Sequence, residues 1–194
     1  MNGTHGNLAY QEEPRTEIIG GRVVMLAAPS MSHVFIAADI FRIFDAYLDG
    51  KPCTAIPDSA AVFLEEGEEY QPDVMVVCDP AKIRNKGVFG APDLVVEVLS
   101  PSTGRYDRGH KMQVYERGGV REYWIVDPVS RTIDQYVLTD GRLILRDEYR
   151  QYTAEEWEDL DEKERAAAVK EFRCSLFDDL VISVERVFRR ARAF

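Results

Sequence analysis

The sequence predicts an α/β fold. An amphipathic helix comes first, Val-rich strands follow, and a second helix then leads into a further strand, which is an α/β order of elements. Two apolar runs also open alike, Pro72-Asp73 before residues 74–78 and Pro92-Asp93 before residues 94–99. Each has the length and Val content of a buried strand and is bounded by Pro or Gly.

Taken in order, residues 1–14 read as a flexible tail and 15–194 as one domain, a length that supports a substantial core. Residues 17–25 predict a hairpin turned at Gly20-Gly21. Pro29-Ser30 opens a helix with Ser30 as N-cap. Val34, Ile36, Ala37, Ile40, Phe41, Phe44 and Leu48 give it an apolar stripe, and it stops by Gly50. Strands are expected over 60–64, 72–78 and 93–99, with residues 82–90 as an exposed loop. The turn Ser100-Pro101-Ser102-Thr103-Gly104 precedes a helix over 106–117, which Gly118-Gly119 ends. Residues 122–126 are the next strand, and 133–138 with 143–145 form a hairpin turned at Asp140-Gly141. Residues 151–172 read as an acidic helical insertion, opened by a capping box from Thr153 to Glu156. The last element, from Leu180 to Phe188, docks on the body.

The formal net charge is −10 and the pI about 4.9, which counts against a dedicated non-specific nucleic-acid binder. The charge is uneven: residues 53–79 hold seven acids and no Lys or Arg, whereas 72–128 hold eight of each sign. A local nucleic-acid site is therefore not excluded. No apolar run approaches membrane-spanning length, and the polar N-terminus carries no signal core. Cys53, Cys78 and Cys174 are odd in number and show no CxxC, which predicts reduced thiols and a cytoplasmic protein.

Chemistry is expected at the two Pro-Asp strands. An unpaired carboxylate inside an apolar run costs several kcal/mol, so Glu97 calls for a cation, a metal or a proton. Side chains alternate along a strand, placing Asp93, Val95, Glu97 and Leu99 on one face and Asp73, Met75 and Val77 on one face of the other. If the strands are neighbours, Asp73 and Glu97 converge. Crowded carboxylates are relieved by a shared proton or a divalent cation, and hard oxygen donors favour Mg²⁺ or Mn²⁺. Lys111, on the following helix, is long enough to reach back. A lysine beside a metal carboxylate pair suits phosphodiester hydrolysis. The plain alternatives are a buried ion pair at Glu97, a strand entry at Asp73 and an i,i+4 pair of Asp107 with Lys111.

These segments resemble the Uma2 family of restriction-endonuclease-like proteins. The resemblance rests on Gln71-Pro72-Asp73, on 91–103 with Pro92-Asp93 and Glu97, on Asp107, Lys111 and Tyr115 in order, and on 119–128. It runs from about residue 17 to 145, with a weaker match near 176–188. Pro29-Ser30 and His33 match the family signature, while its Asp-Gly hairpin corner is Gly20-Gly21 here. The resemblance implies the PD-(D/E)XK superfamily, with a restriction-endonuclease-like central mixed β-sheet flanked by helices and Asp73 and Glu97 as metal ligands. The superfamily lysine falls at Leu99, so Lys111 stands as a migrated replacement.

The resulting expectation is an Mg²⁺-dependent endonuclease, Mn²⁺ substituting, acting on DNA as a homodimer. Asp73, Glu97 and the Val98 carbonyl would hold the metal, Lys111 would be catalytic, and His33, Asp107 and Glu17 are candidates for lining the site. Tyr115, Tyr123 and Trp124 read as core, the arginines of 186–192 as a solvated helix end, and His110 carries no signal. Two rivals stand beside it: an inactive nuclease fold that binds a protein partner, suggested by Leu99 and the acidic helix, and an RNA or phosphate-ester hydrolase. Fold alone does not decide.

Overall fold

The computed structural model describes residues 15–101 and 103–191; the expected tail, 1–14, lies outside them. Thr16–Ile19 (β1) and Arg22–Met25 (β2) form the expected hairpin. Gly20 and Gly21 both take positive φ, 58° and 74°, as its two-residue turn requires. The first helix, α1 (Met31–Leu48), is capped by Ser30, whose side chain accepts the His33 N–H. Its stripe of Ile36, Ile40, Phe44 and Leu48 is buried against Val74, Val76, Leu94, Val96 and Val98.

The central sheet has the order β12-β11-β10-β9-β6-β3. Its strands are β3 (Thr54–Pro57), β6 (Val74–Val77), β9 (Leu94–Val98), β10 (Glu122–Asp127), β11 (Thr132–Thr139) and β12 (Arg142–Arg150). Only β9 and β10 pair in parallel. A parallel pair needs a crossover, here made by α2 (Gly104–Asp107) and α3 (His110–Gly118). The mixed sheet thus carries α1 on one face and α3 on the other, where Val95, Tyr123 and Ile125 pack against Val114 and Tyr115.

Several elements depart from expectation. The helix over 106–117 is two helices, broken at Gly109. A Cβ there would meet the Arg105 carbonyl at 3.0 Å. The 82–90 loop is a hairpin, β7 (Ile83–Arg84) and β8 (Gly87–Phe89), which joins β4 (Val62–Phe63) and β5 (Glu69–Tyr70) in a second sheet of order β2-β1-β5-β4-β8-β7. A residue other than glycine at 87 would set its Cβ 2.2 Å from the Ala61 carbonyl, so that corner depends on glycine. Residues 151–172 hold two short helices, α4 (Ala154–Asp159) and α5 (Glu162–Ala167), each with a capping box, and run into β13 (Glu171–Arg173). The chain then forms β14 (Val181–Ser183) and α6 (Val184–Phe188).

The expectation of reduced thiols is corrected: Cys53 and Cys78 form a disulfide, and Cys174 is a buried free thiol. The register explains it. Thr54 faces Val77 across β3 and β6, so the next pair outward brings together two cysteines 25 residues apart in sequence. The argument for the cytoplasm from reduced thiols therefore falls. Among the described residues no helix is long and apolar enough to cross a membrane.

Candidate active site

Strands β6 and β9 are antiparallel neighbours with Val74 opposite Val96, so one residue further Asp73 stands opposite Glu97. The same pleat that sends Val96 and Val98 toward α1 sends Glu97 toward α3. Both carboxylates are buried and line one narrow cleft, together with Glu17, His33, Val98 and Lys111. Its volume, about 40 Å³, accommodates an ion with a water or two. A much larger groove of about 940 Å³, between α4 and the segments around Lys170 and Val184, shares no lining residue with it.

Lys111 is 1% exposed. Its Nζ lies 2.9 Å from Glu17, 3.2 Å from Asp107 Oδ1 and 3.3 Å from Glu97 Oε1. Burial alone would lower its pKa, but Glu97, Asp107 and Glu17 outweigh burial and raise it, keeping the ammonium charged. Leu99, which stands where the resemblance would have placed a lysine, packs instead into the apolar cluster under α3. Tyr115, one helical turn beyond Lys111, donates its hydroxyl to Glu97 Oε1 at 2.9 Å. Burial first, then the Glu97 charge, raises this phenol well above its ordinary range, so it stays a donor. Glu17, on β1, also accepts the Gln71 N–H at 2.8 Å, which ties the first hairpin to the strand entry.

Asp73 is held from the other side. Its Oδ2 accepts the Val98 N–H at 2.7 Å, and its Oδ1 is 2.8 Å from His33 Nε2. Burial lowers the His33 pKa, but the hydrogen bond and charge of Asp73 outweigh it, and the net shift is upward. The structure thus brings together all seven predicted residues: Asp73, Glu97, Val98, Lys111, His33, Asp107 and Glu17. Tyr115 and Gln71 are additions that sequence reasoning left out of the site. The i,i+4 spacing from Lys111 was a signal for Tyr115; the Gln71 amide left none.

The charges decide what the cleft lacks. Four buried carboxylates, Glu17, Asp73, Glu97 and Asp107, face the Lys111 ammonium and the His33 imidazole, while Arg15 on the cleft wall is paired with Asp58. Burial and the neighbouring acids push Glu97 well above its ordinary pKa despite Lys111, and burial raises Asp107 too. This is a surplus of acidic oxygen donors over cations, which a proton or a divalent cation relieves, so the residues fit a divalent cation. Among the described residues no three His, Cys, Asp or Glu side chains converge as a ready-made cage. Mg²⁺ is compatible with that, since it often binds through one or two carboxylates and keeps its waters.

The sequence profile of the Uma2 family, described as "Putative restriction endonuclease", matches residues 7–170. The chain belongs to the Uma2 family. The match extends past the expected span at both ends and stops short of 176–188. The uncharacterized protein slr1290 of Synechocystis sp. is 33% identical over 137 residues, covering 69% of this chain and 72% of that protein. A second uncharacterized Synechocystis protein, sll1609, is 24% identical over 130 residues, 65% of this chain and 73% of its own length. A crystal structure titled as a "putative nuclease belonging to DUF820" from Anabaena variabilis superposes with a TM-score of 0.69 over 92% of each chain at 16% identity. That likeness fixes the fold, as an Uma2 mixed α/β architecture.

Proposed function

We propose that this Uma2 protein is a divalent-metal-dependent nuclease that hydrolyses phosphodiester bonds in DNA. The observation that carries the reading is the placement of Asp73 and Glu97 opposite each other on adjacent buried strands, with Lys111 against Glu97 in one cleft. Asp73, Glu97 and the Val98 carbonyl would hold Mg²⁺, or Mn²⁺ in its place. The bound ion supplies Lewis-acid polarisation of a phosphate oxygen and lowers the pKa of water. The protein's own groups do the rest. Val98 N–H and His33 fix Asp73, Tyr115 fixes Glu97, and Lys111 orients the attacking water and offsets charge developing on the phosphate. With only about 40 Å³ inside, the cleft takes the ion and water while the sugar–phosphate chain lies across its mouth.

The rival reading, an inactive fold for a protein partner, drew on Leu99 and the acidic helix. It loses force because a lysine reaches the acids from α3, and because the acidic segment is two short capped helices away from the cleft.

A calorimetric Mn²⁺ titration of the pure protein, with Glu97→Ala as control, tests the proposal before any substrate is chosen. Saturable binding lost in the variant is the expected result, followed by Mg²⁺-dependent nicking of plasmid DNA that the variant lacks. Equal heats from two folded proteins would sink the metal site. Parallel DNA and RNA substrates then fix the nucleic acid.

A further inference from the structure

Strand β2 ends the second sheet: among the described residues its only partner is β1. Its hairpin register is defined. Ile19 faces Arg22 next to the two-residue turn, Glu17 faces Val24, and the Leu26 N–H donates to the Arg15 carbonyl at 2.9 Å. In an antiparallel ladder the residues of alternate pairs turn both backbone groups toward the partner strand. Arg22, Val24 and Leu26 therefore bond inward, and Val23 and Met25 direct their N–H and C=O groups outward from the sheet edge. The two residues are 70% and 67% exposed.

Natural edge strands are commonly guarded by charge, proline or a bulge. This one has none of these at its outward positions. Residues 23–38 contain no Asp, Glu, Lys or Arg, although 30% of the chain is charged. Met31 and Val34, both exposed, continue the uncharged stretch into α1. Arg22, at the head of β2, is the one cation adjoining this stretch, a single charge where a nucleic-acid backbone is held by several. A second copy of this chain, itself at −10, would meet least repulsion at an uncharged face.

We propose that β2 is the two-fold interface of a homodimer, two copies pairing antiparallel edge to edge. The register that satisfies the outward groups has its axis at Val24, setting Val23 of one copy against Met25 of the other. Each such pair exchanges two backbone hydrogen bonds, and the contact is isologous, so it closes at two subunits. The ribbon runs directly into Leu26, Ala27 and Pro29, which wall the Asp73–Glu97 cleft. A docked copy therefore stands beside the cleft mouth. The inference rests on the sheet edge and not on the hydrolytic reading, and its failure would leave that reading intact.

Sedimentation equilibrium of the full chain tests it, with two variants chosen to act differently. Met25→Pro removes an outward N–H that the β1 ladder does not use, and proline is tolerated at such edge positions. Val23→Lys keeps the backbone and adds an edge charge. The wild type is expected to be a dimer, and each variant, with an unchanged far-ultraviolet spectrum, to weaken association at least tenfold. A wild type that stays monomeric up to about 100 μM, a concentration at which even weak association is detected, overturns the proposal. So does a dimer that both folded variants retain.

Discussion

Lys111 is where the residue-scale physics is sharpest, because one ammonium compensates three buried acids, Glu17, Glu97 and Asp107. Removing one partner of a buried ion pair typically costs about 3–5 kcal/mol, since the charge left behind has neither water nor partner. Lys111→Ala is expected to lose stability on that scale in urea unfolding at pH 7. If the surplus negative charge attracts a divalent ion, added Mn²⁺ should restore part of the loss, because an ion that binds only the folded state stabilises it. A Lys111→Ala protein as stable as wild type, or one indifferent to Mn²⁺, would contradict this account. The sequence exposed some of this site and concealed the rest for one reason. Glu97 announces itself as a charge inside a Val run, and Asp73 shares its Pro-Asp opening with a second strand. Tyr115 sits in a stretch whose pattern is satisfied by a helix core, and Gln71 enters the site only through its backbone N–H. Their roles depend on which side of Lys111 each element packs, which is tertiary information.

At the scale of elements, the strands that periodicity missed are two to four residues long: β3, β5, β7, β8, β13 and β14. Such pieces carry no measurable alternation, and β3, β5 and β8 take partners distant in sequence, as Val62 with Val88 shows. Strand β3 is further fastened by the Cys53–Cys78 disulfide. Closing a loop of this length contributes about 3.5 kcal/mol in the chain-entropy view, so Cys53→Ser should lower stability by roughly that amount under non-reducing conditions. Under full reduction the two proteins should converge, and a gap that survives reduction would assign the loss to packing instead. The C-terminal docking was read correctly as a contact but not in its chemistry. Arg190 grips Asp39 of α1 at 2.7 and 2.8 Å, and Arg189 adds a bond at 3.0 Å. Burial raises the Asp39 pKa, but Arg190 and Arg189 outweigh it and hold it below the ordinary 3.8. A folded-state pKa below the unfolded one means stability that is present above the unfolded value and lost as pH falls through the folded value. Asp39→Asn should therefore cost about 1.5–3 kcal/mol near neutral pH, the range for hydrogen bonds to charged groups. The gap to wild type should shrink below about pH 4, and a gap constant down to pH 2 would refute the ion-pair account.

For the whole molecule, net charge separates the two proposed partners, because salt acts on them with opposite sign. Two copies at −10 each, with centres roughly 40 Å apart for bodies of this size, repel by about 0.5 kcal/mol at 50 mM salt and by almost nothing at 200 mM. Edge pairing through Val23, Val24 and Met25 has no attraction of opposite charges to lose, so raising salt over that range should strengthen dimerisation roughly twofold. Binding to DNA runs the other way. Each phosphate neutralised releases counterions, and even two contacts make association about tenfold weaker over the same fourfold rise in salt. The chain's acidity does not forbid such contacts, because residues 72–128, which carry Asp73, Glu97 and Lys111, hold as many basic as acidic side chains while 53–79 carries only acids. Sedimentation and DNA binding measured on one preparation at both salt concentrations check the two signs together. Dimerisation that weakens with salt would place charged pairs in the interface and remove β2 from it. DNA affinity that is flat in salt would mean that the phosphates are not what the cleft engages, and the hydrolytic reading would lose its substrate.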